Sequence, residues 1–324
     1  MERRLLDIII PHHNEPYSVV RPLIEGLKCQ RDVDWSRVGI FLIHNGDFEP
    51  TSMEWSLYEN GPARISQVRI DSCGVSKARN FGMDRARATW VMFCDCDDTF
   101  TNIFALRDIL HILGLQEVQD RFDLMWGKFF MTGNGKTIIA DKMSPVFIHN
   151  KFYKLDFLRE HNLRFCEKLR MSEDSAFNFI LFMEMDQNRI GRINTNMPLY
   201  AWCRRPGSVT MDFSRWLENT EGHFERNLYV LGELRRRGMD SHMMVGRTVT
   251  DVYSQLSKKG IQGNLRPMLW RIHDFYQENK ADFEACTDEE LADALAASDK
   301  DFVIKEEDKK ERMPFKEWLW NYCR

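Results

Sequence analysis

Continuous apolar runs alternate with amphipathic stretches through the first part of the chain. Leu5-Leu6-Asp7-Ile8-Ile9-Ile10 reads as a buried strand that breaks at a turn-rich segment, Pro11-His12-His13-Asn14-Glu15-Pro16. Val20, Leu23, Ile24 and Leu27 then recur at helical spacing. Val38-Gly39-Ile40-Phe41-Leu42-Ile43 predicts a second strand, closed by His44-Asn45-Gly46-Asp47. Residues 65–70 predict a third strand, residues 76–86 a helix, and residues 90–94 a further strand. Strands alternating with helices predict an α/β fold around a mostly parallel sheet with right-handed crossovers. Ligands of such sheets sit at the carboxyl ends of the strands, which is where the two turn-rich segments fall.

Residues 122–131 read as another strand, and Gly133-Asn134-Gly135 is a hairpin signal. Ser172 resembles a helix N-cap followed by acidic first-turn residues, Glu173 and Asp174. On that reading Asp174 is helix-start decoration. Beyond about residue 212 strand signals stop. Phe224, Leu228, Leu231 and Leu234 form one helical stripe, Val249, Val252, Tyr253 and Leu256 a second, and Leu265, Met268, Leu269, Ile272 and Phe275 a third. Thr287-Asp288-Glu289-Glu290 has capping-box spacing. The predicted organisation is an α/β catalytic domain over residues 1–212 and a helical extension over residues 213–324.

Composition narrows the function classes. The 324 residues are 43% hydrophobic and 29% charged, an ordinary soluble balance. No apolar run reaches the roughly 18 residues a membrane span needs, and residues 1–11 lack the long apolar core of a signal peptide. A net charge of −4 argues against broad nucleic-acid binding. Eight cysteines without a C-x-x-C pair read as reduced thiols, and nine histidines show no zinc spacing. These features predict a cytoplasmic protein, with a peripheral place at the inner membrane face left open.

The most chemically informative run is Val91-Met92-Phe93-Cys94-Asp95-Cys96-Asp97-Asp98, a buried strand breaking into carboxylates. Strand alternation would point Asp95 and Asp97 to one side and Cys94 and Cys96 to the other. Adjacent carboxylates at a strand end suit a divalent ion, Mn2+ or Mg2+, that carries phosphate oxygens. The bland alternative is an acidic turn.

These signals, in order, resemble the family 2 glycosyltransferases of the GT-A fold over roughly residues 5–212. Pro11-His12-His13-Asn14-Glu15 is similar to that family's P-x-Y-N-E, with His13 in place of Tyr. Gly74-Val75-Ser76-Lys77-Ala78-Arg79-Asn80-Phe81-Gly82 and Phe93-Cys94-Asp95-Cys96-Asp97-Asp98 resemble its G-V-S-x-A-R-N-x-G and F-L-D-S-D-D. Asn150-Lys151-Phe152-Tyr153 is similar to the segment before the catalytic helix, and Ser172-Glu173-Asp174-Ser175-Ala176-Phe177 to its E-D-x-x-F motif. Tyr200-Ala201-Trp202-Cys203-Arg204-Arg205-Pro206-Gly207-Ser208-Val209-Thr210 resembles the closing Y-x-Y-R-x-x-P-G-S-x-T.

The resemblance implies a Rossmann-like GT-A sheet with flanking helices. It implies Asp95 and Asp97 as metal ligands, Asp97 directly and Asp95 nearer the ribose and phosphates. Asp174 would be the general base. Pro11, His13, Glu15, Asn45 and Cys96 would belong to the donor site, and Lys77 or Arg79 and Arg204 or Arg205 would face the diphosphate. The family usually carries Asp-Asp-Gly-Ser where this chain has His44-Asn45-Gly46-Asp47. A uridine diphosphate sugar is the favoured donor, but an amide that both donates and accepts leaves the base open. The implied activity is metal-dependent, inverting transfer of a sugar to a glycan or other hydroxyl. The alternatives are a sugar nucleotidyltransferase on a similar sheet and a non-catalytic sugar- or partner-binding protein. The sequence names neither the sugar, the acceptor nor the oligomeric state.

Overall fold

A computed structural model describes residues 3–47, 63–71, 74–133, 135–205, 216–257 and 264–324. The chain divides into two compact units, Met1–Lys168 with Glu173–Met211, and Leu169–Ser172 with Asp212–Arg324. The expected boundary at residue 212 and the closing-motif residues 206–210 lie outside the described residues.

The first unit is built on strands β1 (Leu6–His12), β2 (Val38–His44), β3 (Ile65–Arg69), β4 (Trp90–Phe93), β5 (Thr99–Phe100), β6 (Leu124–Gly127), β7 (Phe129–Gly133), β8 (Lys136–Ala140), β9 (Lys151–Lys154), β10 (Ile190–Ile193) and β11 (Tyr200–Cys203). Seven make one sheet in the order β10-β6-β9-β4-β1-β2-β3, and four make a second, β5-β11-β7-β8. In the large sheet β1 runs parallel to β2 and β4, β2 to β3, and β6 to β10, while β9 runs antiparallel between β4 and β6. Its helices are α1 (Tyr17–Lys28), α2 (Val75–Arg85), α3 (Ala105–Leu113), α4 (Gln116–Arg121), α5 (Leu155–Glu160) and α6 (Glu173–Glu184).

The reasons are local first. Every residue of β1 is buried, as a continuous apolar run in a central parallel strand requires. α1 buries Val20, Leu23, Ile24 and Leu27, the stripe read from the sequence. Gly82 lets α2 lie close on β1, because a Cβ there would overlap the Ile9 side chain.

Three details depart from the sequence reading. β1 continues through Pro11 and His12, paired with Ile43 and His44, so two supposed loop residues are strand. The run 122–131 is two strands in different sheets, β6 and β7. The strand at 90–94 ends at Phe93, and residues 95–98 turn back through a hydrogen bond from the Asp98 N–H to the Asp95 carbonyl at 3.1 Å. Simple alternation therefore does not describe the acidic run.

The second unit is helical: α7 (Trp216–Arg236), α8 (His242–Leu256), α9 (Arg266–Glu278), α10 (Lys280–Ala285), α11 (Asp288–Asp301), α12 (Glu306–Glu311) and α13 (Phe315–Tyr322). Phe224, Leu231, Leu234, Val249, Val252, Tyr253, Met268, Ile272 and Phe275 are buried, so the three stripes are core. Thr287 and Glu290 form the capping box of α11. A buried carboxylate, Asp251, accepts from Arg226, Asn227, Arg247 and Ser298, which ties α7, α8 and α11 together. Breaking such a buried charge cluster is costly, because it strands a charge away from water. Among the described residues no helix is long and apolar enough to cross a membrane.

Candidate active site

The carboxyl ends of β1, β2 and β4 are neighbours in the large sheet, and each ends in chemistry-bearing residues. At the end of β1 and β2, His12 and His44 face each other with Nδ1 atoms 2.9 Å apart. Burial, then the neighbouring His12, push His44 down to about 4. Asn45 follows β2 and is buried. Its Nδ2 donates to the His12 carbonyl at 3.0 Å, and its Oδ1 accepts from the Gly74 N–H at 3.2 Å. The His13 ring nitrogen lies 3.2 Å from that same oxygen. The amide is held from both sides, with its oxygen turned toward His13 and the start of α2. The Glu15 carboxylate accepts from the His13 N–H at 2.9 Å. Burial alone would raise Glu15, but this bond together with the Glu15 N–H, His12 and Cys96 holds the group below its ordinary value. The Cys96 thiol is buried beside Glu15, and burial pushes it well above the usual range. Asp47 is exposed.

The acidic turn follows β4. Asp95 pairs with Arg79 of α2 at 2.8 Å, and Asp97 with Arg205 beyond β11 at 2.9 Å. Their side chains are 29% and 23% exposed, so both reach solvent. Asp98 does not. Its wholly buried carboxylate accepts from the Tyr200 hydroxyl and from the Cys203 N–H, and lies 3.4 Å from His149. It clamps β11 of the small sheet to the end of β4. Burial would raise Asp95, but Arg79 overrides it and lowers the group. Burial, then Asp98 and Asp95, push Asp97 up to about 6.

Arg79 is the hub. Its side chain is only 3% exposed, with one Nη on Asp95 and the other on Glu173, each at 2.8 Å. Glu173 and Asp174 open α6, so one guanidinium spans the acidic turn and the start of that helix. Asp174 sits half-buried next to Glu173 and accepts from the Ser175 N–H at 2.7 Å. Burial, then Glu173, push it up to about 6, against the pull of Arg79.

The loop before β9 closes the site. Lys151 Nζ donates to the Ser144 carbonyl at 2.7 Å and to that of Phe147, which also accepts from Asn178 of α6. This holds His149, whose ring stacks on Trp202 at 4.8 Å. Burial would lower His149, but Asp98 outweighs it and holds the ring above its ordinary value.

Contacts join part of the predicted set. A chain of contacts runs from His13 through Asn45 and Gly74 to α2, and from Arg79 to Asp95, Glu173 and the neighbouring Asp174. Pro11 lies in β1 beside them. Lys77 is half-buried on the first turn of α2. Arg205 reaches Asp97 and lies 3.8 Å from Glu15, whereas the Arg204 guanidinium lies over the Trp202 ring at 5.5 Å. Sequence reasoning assigned no role to Asp98, Glu173, Tyr200 or His149. The first three lie inside the motifs already quoted, so their neighbours were the available signal. His149 had none. Asp95, Asp98 and His149 place possible metal-ligand atoms within 4.8 Å of one another.

The family model for glycosyl transferase family 2 matches residues 7–168, half of the chain, and the chain belongs to that family. The uncharacterized glycosyltransferase EpsJ of Bacillus subtilis (strain 168) is 24% identical over 230 residues, covering 64% of this chain and 63% of EpsJ. TarS of Staphylococcus aureus (strain MW2), a poly(ribitol-phosphate) beta-N-acetylglucosaminyltransferase, is 23% identical over 207 residues, covering 61% of this chain and 35% of TarS. The chain thus spans less than two thirds of either relative's length. The crystal structure of S. aureus TarS 1–349 in complex with UDP matches with a TM-score of 0.63 at 15% identity, covering 92% of this chain and 91% of that one. The complex of TarS 1–349 with UDP-GlcNAc matches with a TM-score of 0.61 at 14% identity. At that identity the likeness establishes the fold: an α/β, GT-A-type architecture with a mostly parallel central sheet and a helical carboxyl-terminal part.

Proposed function

We propose that this family 2 member moves a sugar from a nucleoside-diphosphate sugar, a uridine diphosphate sugar in first place, to an acceptor hydroxyl with inversion. The observation that carries the reading is the bridge Asp95–Arg79–Glu173, which joins the end of β4 to the residue beside Asp174. Donor chemistry and a base are then set side by side from motifs far apart in sequence.

Asp174 is the general base. Pushed up to about 6, it is ionised at neutral pH yet basic enough to accept a hydroxyl proton. It takes that proton as the acceptor oxygen attacks the anomeric carbon and the nucleoside diphosphate leaves from the opposite face. One displacement of this kind inverts the configuration. Arg79 offsets part of the charge of Glu173 and Asp95, and the charge left on Glu173 adds to the upward push on Asp174.

Asp95 and Asp97 fit a divalent cation. They offer hard oxygen donors and reach solvent, and beside the burial that chiefly raises Asp97 stand two neighbouring acids, Asp98 and Asp95, whose charge a cation would relieve. Asp98 is already satisfied by Tyr200 and Cys203, so it serves as support. Mn2+ or Mg2+ held there would neutralise the charge of the leaving diphosphate. Lys77, Arg204 and Arg205 add positive charge on the diphosphate side. Pro11, His13, Glu15, Asn45 and Cys96 frame the nucleoside. TarS has been crystallised with UDP and UDP-GlcNAc, which supports a uridine donor.

A nucleotidyltransferase would need a phosphate loop after β1, and residues 11–16 contain no Gly, Lys or Arg. The test is a panel of nucleotide sugars with Mn2+, read by thermal shift and by nucleotide release. A UDP-sugar should raise the melting temperature and release UDP, since a ligand at about 100 times its Kd adds about 2.7 kcal/mol. Pyrophosphate release from a nucleoside triphosphate and a sugar phosphate would overturn the reading. So would stabilisation by a donor with no turnover on any acceptor or water, which would make the protein a binder.

A further inference from the structure

Residues 163–166 of the α/β unit form neither helix nor strand, yet Leu163, Phe165 and Cys166 are buried. Buried backbone outside regular structure must find its hydrogen-bond partners elsewhere. For Phe165 the partner is one side chain of α2. The buried Asn80 amide oxygen accepts from the Phe165 N–H at 3.0 Å, and the amide nitrogen donates to the Phe165 carbonyl at 2.9 Å. That nitrogen also donates to Glu167 Oε1 at 3.1 Å, so both of its hydrogens are used. Both backbone groups of one residue are thus pinned by one rigid amide, and an apolar side chain in its place would strand them.

The pinned backbone fixes a ring. Phe165 stacks on Phe177 of α6, with centroids 4.2 Å apart and planes 9° from parallel. The Phe93 ring of β4 meets it edge-on at 4.9 Å, and the Arg79 guanidinium carbon lies 5.2 Å from its centre. Phe177 is itself buried and follows Asp174 by three residues, about one turn along the helix. Asn80 follows Arg79, one Nη of which holds Glu173. Consecutive residues of α2 therefore reach α6 at two points: Arg79 at Glu173 directly, and Asn80 at Phe177 through Phe165.

We infer that Asn80 is a positioning residue for Asp174, acting through the Phe165 backbone and the Phe165–Phe177 stack. Asn80 touches no reacting group; it sets where the base stands. Held at Glu173 alone, α6 would be free to pivot there and swing the carboxylate relative to the acceptor oxygen. A second hold one turn further on removes that freedom, and a reacting group misplaced by about 1 Å is enough to cost rate. The inference rests on Asp174 being the base.

The experiment uses the full chain with the donor and acceptor identified by the panel. Asn80→Ala removes the amide, and Phe177→Leu removes the far ring while leaving the bonds between Asn80 and Phe165 in place. Each should lower kcat per folded molecule about 10- to 100-fold, the scale of a small misplacement of a reacting group. Donor affinity, read by thermal shift with Mn2+, should not change, because Arg79 still pairs with Asp95. The acid limb of the kcat profile, which Asp174 sets, should move to lower pH in both variants, because a carboxyl loosened from its buried setting returns toward its ordinary value. The double variant should lose no more than the worse single one, because both interrupt the same path. Parent kcat, an unmoved acid limb, parallel loss of donor affinity and kcat, or additive losses would each overturn the inference. If Asn80→Ala does not fold, Phe177→Leu decides alone, and parent kcat there overturns it. An inactive Asp174→Asn beside parent kcat in Asn80→Ala and Phe177→Leu leaves the base standing and removes only the positioning role. An active Asp174→Asn removes the base, and the inference with it.

Discussion

Asp174→Asn separates chemistry from architecture, because the two readings of this residue predict opposite signs of stability change. Burial, then Glu173, raise its carboxyl from 3.8 to about 6 in the folded chain. At 1.36 kcal/mol per unit, a shift of about 2 units is on the order of 3 kcal/mol in favour of the protonated form. The folded value lies above the unfolded one, so ionised Asp174 costs stability above about pH 6. That cost shrinks as pH falls from about 6 to 3.8 and is absent below. Asparagine is nearly isosteric, carries no charge, and its oxygen can still accept from the Ser175 N–H. The variant should therefore melt higher than the parent at pH 8, by the equivalent of about 1–3 kcal/mol, and equal to it near pH 4. Transfer should fall by about two to four orders of magnitude, because an amide takes no proton. Parent transfer should rise with pH and level off above about 6. Thermal melts at the two pH values and initial rates of nucleotide release are sufficient. If Asp174 only decorates its helix, the variant loses up to about 1 kcal/mol and keeps its rate. A variant that melts earlier and transfers at the parent rate would refute the base and the electrostatic reasoning together.

Other expectations follow from the same geometry. Asp97→Asn should abolish Mn2+-dependent turnover while the fold survives, and Asp95→Asn should weaken nucleotide binding as well; full activity of metal-stripped Asp97→Asn would reject the ligand assignment. Arg79→Lys replaces a fork whose two Nη atoms each meet a different carboxylate by a single compact ammonium, so it should lose about 3–5 kcal/mol of stability and lower both kcat and donor affinity. Parent values in melts and kinetics would show that the bridge is dispensable. Gly82→Ala drives a Cβ into Ile9 and should cost about 1–3 kcal/mol in denaturant unfolding, with kcat per folded molecule kept.

The parts of the fold legible in the sequence are those where one local pattern suffices. The wholly apolar β1, the stripe on α1 and the Thr287 capping box needed no knowledge of distant contacts. β9, β10 and β11 are four residues each, too short for a period to declare itself, and β9 reverses direction between parallel neighbours. The acidic run misled for another reason: strand alternation was extended past Phe93, where the backbone turns. The site was legible as a set of motifs but not as a network. Asp98 meets Tyr200 across 102 positions and Arg79 meets Glu173 across 94, and no spacing rule spans such distances. Arg79 read as an open phosphate ligand because its motif shows charge, whereas burial and its two carboxylate partners are properties of the fold.

The electrostatics of the site sort its carboxylates by task. Asp95 and Glu173 share Arg79, a buried charge that their own field stabilises, and Asp95 is lowered as a result. Asp98 is satisfied by neutral donors and His149 and works as a clamp. Asp98 is raised as well, chiefly by burial, but its donors satisfy it; Asp97 and Asp174 are each pushed up to about 6 without such a set of donors. Asp97 has Arg205, but that guanidinium is 37% exposed and solvent screens it, so the pairing does not offset burial and two neighbouring acids. A raised carboxylate that reaches solvent is one that gains from a positive charge arriving from outside. On the proposed function the charge arriving at Asp97 is a divalent ion that comes with the donor phosphates. At Asp174 it is a proton that comes from the acceptor hydroxyl. On the proposed function these two incompletely compensated carboxylates are the ones whose compensation the reaction itself brings, and environments that set acids apart in this way are how one site divides acid, base and ligand roles among identical side chains.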